Sequence, residues 1–92
     1  MRRPAAPERI TRQIGRRIAE LRRAQGLTQA ELASKLDVTT PWVSRVERRG
    51  ENLMVATLVK IANAIGVEPR ELWEKPGPGA PPVRRGRPPR PR

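Results

Sequence analysis

Thr39, Thr40, Pro41, Ser44 and Arg45, followed by Arg48 and Arg49, form a short run whose side chains pass from small and hydroxylic to long and cationic. At about 100° per residue, a helix through this run puts Val43 and Val46 on one face. Pro41, Ser44, Arg45 and Arg48 then point away from that face. The chemistry on offer is hydrogen bonding rather than bond making. Small residues let a helix backbone approach base edges in a major groove, and an arginine there can donate two parallel hydrogen bonds to guanine. Arg45, outward and midway along, is the leading candidate for such a contact, with Thr40, Pro41 and Ser44 as further base-facing positions. Thr39, Arg48 and Arg49 suit phosphate. A solvated surface helix would account for the charges alone. It accounts less well for the turn before the helix and its Thr-Thr-Pro start taken together.

Bond-making chemistry has few candidates. The chain has no His and no Cys, which removes the commonest general base, the usual metal ligands and the thiol nucleophile. Asp37 is the only Asp, and the Glu residues are scattered along helical faces. Gly77-Pro78-Gly79 has no strand before it and no helix after it, so it does not read as a phosphate-cradling loop. No catalysis, metal site or cofactor is expected.

The elements that must position the run are legible around it. Thr28 is a good N-cap, and Glu31 stands at the capping-box spacing. Leu32, Ala33 and Leu36 form the apolar face of a short helix. Asp37 tolerates left-handed backbone, Val38 can plug the core, and Thr39 or Thr40 caps the next helix with Pro41 in its first turn. Upstream, Ile10, Ile14, Ile18 and Leu21 recur as a helical stripe that Gln25-Gly26 ends. Downstream, Leu58, Ile61, Ala62 and Ile65 mark a fourth helix that Gly66 stops. Pro69 opens a fifth helix in which Leu72 and Trp73 close the core. The expected fold is all-α, a compact five-helix bundle with a helix-turn-helix at its centre.

Gln29-x-x-Leu32-Ala33, Val38-Thr39 and Val43-Ser44-Arg45-Val46-Glu47 resemble the Cro/repressor helix-turn-helix family, also called the XRE family, with the likeness running over about residues 14–73. The resemblance implies a DNA-binding transcriptional regulator acting as a homodimer on double-stranded DNA. It also implies that the Gln29 amide clamps a phosphate, and that Glu47 pairs with Arg22 as a structural tie. Trp42 stands where the family has a small polar residue. Its ring can half-pack on the preceding helix and reach the DNA flank, or simply pack. Two departures stand out. Asp37 replaces the glycine of the turn, and the glycine after Glu-x comes one residue late, at Gly50, which reshapes the loop after the recognition helix.

Ninety-two residues make one domain, expected over residues 8–74 and preceded by a basic, Pro-broken arm over 1–7. The formal net charge of +11 and pI near 11.8 point to a polyanionic partner. No apolar run would span a bilayer, and Arg2 and Arg3 are not followed by an apolar signal segment, so a cytoplasmic protein without membrane association is expected. Residues 75–92 hold seven Pro, three Gly and six Lys or Arg with no acid, and read as a disordered basic tail. Within it, Arg85-Gly86-Arg87-Pro88 resembles an AT-hook core lying in the minor groove; a merely electrostatic tail is the equal alternative. Two rival functions remain open: an antitoxin-type module binding a protein partner, and an RNA- or ribosome-associated bridging-factor-like protein.

Overall fold

The structure, a computed structural model, describes residues 4–77. Four α-helices follow in order: α1 over Pro7–Ala24, α2 over Gln29–Leu36, α3 over Thr40–Arg49 and α4 over Val55–Ile65, and a single 3-10 turn over Pro69–Trp73 closes the series. The fifth element is thus a 3-10 turn and not the α-helix expected from its sequence. Its backbone bonds run i→i+3, from Glu71 N–H to the Glu68 carbonyl at 2.9 Å and from Glu74 N–H to the Glu71 carbonyl at 3.3 Å, and the extended Glu74 stops it after five residues. Glu68 caps this turn, its N–H donating to Glu71 Oε2 at 3.0 Å.

Local signals explain most helix ends. Thr28 Oγ1 accepts from Glu31 N–H at 3.0 Å while Thr28 N–H donates to Glu31 Oε1 at 2.8 Å, so two orphan donors at the start of α2 are satisfied reciprocally. Asp37 ends α2 in the left-handed conformation at φ 59° and ψ 45°, the role expected of it in place of glycine. Thr39, rather than Thr40, caps α3, accepting from Trp42 N–H at 3.2 Å. Helix α1 begins at Pro7, with no side-chain cap at Ala6; proline is at home in a first turn because its missing donor would be unpaired anyway.

The core is aliphatic. Ile18, Leu32, Val43, Ile61 and Leu72 are its largest fully buried side chains, each stabilising by about 1.5–3 kcal/mol relative to exposure. They come from all five elements, so no helix is held by its neighbours in sequence alone. Trp73 is 46% exposed and does not close the core as expected. In the 3-10 turn Leu72 takes the buried position, and its neighbour is turned outward. Gly15 has a structural role the sequence pattern did not reveal. A Cβ there would collide with the Val46 carbonyl oxygen, so α1 and α3 meet backbone to backbone. That close approach sets where α3 stands.

Among the described residues no helix is long and apolar enough to cross a membrane, and no group of three or more His, Cys, Asp or Glu could hold a metal ion. Only the first residues of the basic tail are described. Gly77 N–H donates to Glu20 Oε2 at 2.9 Å, so residues 75–77 follow α1 rather than hanging free. Arg85, Gly86, Arg87 and Pro88 lie outside the described residues.

Candidate nucleic-acid interface

Helix α3 is placed by the contacts of its one buried face. Val43 and Val46 are each 2% exposed and point inward from one face, as the 3.6-residue period requires. Glu47 continues that buried edge and is satisfied by three donors. Arg22 gives Nε to Glu47 Oε2 at 2.7 Å and Nη2 to Oε1 at 3.0 Å, and Gln29 gives Nε2 to Oε1 at 2.9 Å. The remaining Arg22 donor, Nη1, reaches the Leu27 carbonyl at 2.8 Å. Arg22 and Glu47 are only 7% and 6% exposed. The Arg22–Glu47 pair therefore ties α1, the α1–α2 turn, the first residue of α2 and α3 to one another, in a fork-to-fork geometry that also sets direction.

The opposite side of α3 is open. Gln29, Thr40, Pro41, Ser44, Arg45, Arg48 and Arg49 line a single shallow concavity. The residues expected to face bases thus share one surface with three of those expected to face phosphate. Thr39 is exposed just before them, its hydroxyl engaged as the α3 cap. Trp42 is half-buried and packs against the core cluster. Arg48 and Arg49 are exposed and form no ion pair among the described residues. Gln29 is half-buried, and the amide expected to clamp phosphate already gives one hydrogen to Glu47. A carboxamide carries two such hydrogens, so one remains for a second acceptor.

Two features escaped the sequence reading. Arg45 Nε lies 3.4 Å from Glu51 Oε2, so the leading base-contact candidate faces an acid from the following loop. The second is a cleft between α1 and α3, in which Pro76 and Gly77 stand with Arg16, Arg23 and Arg48. Arg17 holds this end of the chain down. Its guanidinium donates to the Glu71 carbonyl at 2.8 Å, to Glu20 Oε1 at 2.7 Å and to Glu74 Oε1 at 2.8 Å. Neither feature has a sequence signature, because each joins residues whose proximity depends on the packing of separate elements.

Residues 18–72, from the middle of α1 through the 3-10 turn, match the helix-turn-helix family. The chain belongs to that family. An uncharacterized HTH-type transcriptional regulator of Sinorhizobium fredii is 39% identical over 59 residues, covering 64% of this chain and 77% of the relative. Among solved structures, the restriction-modification controller protein C.AhdI from Aeromonas hydrophila superposes with a TM-score of 0.62 at 39% identity, over 67% of this chain and 94% of that one. The master regulator for biofilm formation SinR, solved in complex with DNA, superposes with a TM-score of 0.60 at 31% identity, over 66% of this chain and 98% of the other. In this helix-turn-helix protein α2 and α3 are the two helices of the motif, and the open face of α3 is the surface it displays.

Proposed function

We propose that this DNA-binding transcriptional regulator reads double-stranded DNA sequence-specifically, with α3 in the major groove and the protein acting as a homodimer on a two-fold-related site. The observation that carries the reading is the concavity that gathers Gln29, Thr40, Pro41, Ser44, Arg45, Arg48 and Arg49 on the open face of α3. Arg45 donates to a guanine edge, with Thr40, Pro41 and Ser44 close to neighbouring bases. Thr39, Arg48, Arg49 and the second amide hydrogen of Gln29 meet phosphates on either side, and Trp42 stiffens the flank. The relatives named HTH-type regulator and restriction-modification controller, and the solved SinR–DNA complex, support this partner class.

The basic tail adds to the same contact. Pro76 and Gly77, the last described residues, stand in a cleft shared with Arg16, Arg23 and Arg48 beside α3. A tethered cation run there raises affinity by releasing counterions from phosphate.

The test is selection of duplexes from a random library by the tagged protein, followed by binding of the selected operator and a scrambled duplex. Arg45→Ala is expected to cost about 1–3 kcal/mol on the operator and little on the scrambled duplex. Equal losses on both would overturn the base-contact assignment. Failure to recover any palindromic motif would overturn the two-fold site, and preference for RNA in competition would overturn the partner class.

A further inference from the structure

Gly50, the glycine that comes one residue late, ends α3 at φ 73° and ψ 154°. A Cβ on it would fall 2.5 Å from the Thr11 carbonyl carbon and oxygen and 2.7 Å from Arg12 N. No other residue fits there without moving the α1 backbone, so the chain leaves α3 in one direction only. The next residue along that direction is Glu51. Its carboxylate reaches 3.4 Å from Arg45 Nε, with the two side chains 36% and 44% exposed. Arg45 is thus distinguished from Arg48 and Arg49, the cations beside it on the same face, which have no ion pair among the described residues.

We infer that Glu51 is a specificity-determining residue: it holds the Arg45 guanidinium against the protein and keeps phosphate from it, so that only a paired base edge draws it out. The inference rests on Arg45 reading a base. An exposed ion pair is weak, so Glu51 biases Arg45 rather than locking it. The larger effect falls on the DNA side. A phosphate that approaches Arg45 also approaches Glu51, and repulsion between the two anions across about 7 Å in water lowers affinity about threefold. On a scrambled sequence Arg45 has only phosphate or water to turn to, and the acid makes phosphate a poor choice. On a cognate guanine, two acceptors in the plane of the guanidinium replace the single carboxylate contact. Glu51 therefore weakens non-specific binding more than specific binding, and discrimination rises through a repulsive element rather than an added attraction.

Four proteins decide the matter: the parent, Glu51→Gln, Arg45→Ala and the double variant. Each is measured on the operator selected by the parent and on a scrambled duplex of equal length. Glutamine keeps the size of a half-exposed side chain, so the fold is retained. Glu51→Gln is expected to tighten the scrambled duplex about threefold and the operator by less, so the specificity ratio falls. In the Arg45→Ala background the same change is expected to act on both duplexes alike. If Glu51→Gln tightens both duplexes equally in the parent background, Glu51 is a bulk charge and the inference is overturned. If it weakens the operator alone, Glu51 contacts a base itself and the inference is again overturned. If Arg45→Ala loses equally on both duplexes, it is the base-contact reading beneath the inference that fails.

Discussion

Replacing Glu47 by Ala should destabilise this domain more than any other single change on the α3 surface. The substitution deletes three hydrogen bonds, two from Arg22 and one from Gln29. Gln29 is half-buried and can turn its amide to water. Arg22 cannot turn away, for at 7% exposure its guanidinium stays inside with only the Leu27 carbonyl as acceptor. Breaking one side of a buried pair costs about 3–5 kcal/mol, most of it from the charge left behind. Small domains are stable by about 5–15 kcal/mol in total, so a loss of this size is a large share of what holds such a domain folded. For a domain of 60–100 residues each kcal/mol moves Tm by about 4–8 °C, and a loss of 3 kcal/mol lowers it by about 12–24 °C. Thermal unfolding followed by circular dichroism at one protein concentration reads this directly. The double variant Arg22→Met with Glu47→Leu should recover much of the loss, because it removes both charges and fills the space with apolar atoms. A fall of less than about 4 °C for Glu47→Ala would mean that Arg22 escapes to solvent and that the pair holds nothing in place. A double variant as unstable as the single one would refute the stranded-charge explanation.

Gly15→Ala should destabilise by about 1–3 kcal/mol despite alanine's better helix propensity, since its methyl meets the Val46 carbonyl; a denaturation midpoint equal to the parent's would show that α1 can slide away. Thr28→Ala should cost about 1 kcal/mol through loss of the capping box, visible as faster amide exchange in the first turn of α2. Gln29→Ala should weaken operator and scrambled duplexes evenly, in contrast to Arg45→Ala, and a loss confined to the operator would reassign Gln29 to base reading. For the tail, Gly86→Val should abolish any preference for A·T-rich over G·C-rich flanks while keeping the salt dependence. A parent with no flank preference leaves residues 85–88 as charge alone.

What the sequence by itself determined about this protein is what short-range chemistry controls. Thr28 with Glu31, Asp37 in left-handed backbone, a threonine cap at 39 or 40 ahead of Pro41, and the i, i+4 apolar stripe of α1 each act within a turn or two of chain. Their consequences were legible before any fold was known, as were the helix-turn-helix itself and the outward set on α3. The 3-10 turn at Pro69–Trp73 marks the edge of that legibility. Pattern suggests a helix there, but length and packing decide its hydrogen bonding, and with it which of Leu72 and Trp73 is buried. Tertiary structure alone decided the rest. Gly15 stands out nowhere in the sequence pattern, and only the position of α3 makes it a contact. Gln29 stands 18 residues from Glu47 and Arg22 stands 25, so the shared carboxylate exists only once three helices have packed. The resemblance proposed the Arg22 partner but not the Gln29 one. Glu51 is an ordinary loop acid until Gly50, pressed against the backbone at Thr11, turns the chain toward Arg45. Charge and hydrogen-bond partners fall off within a few ångströms, whereas sequence records only order along the chain; which groups meet across α1, α2 and α3 is settled by how the aliphatic core packs.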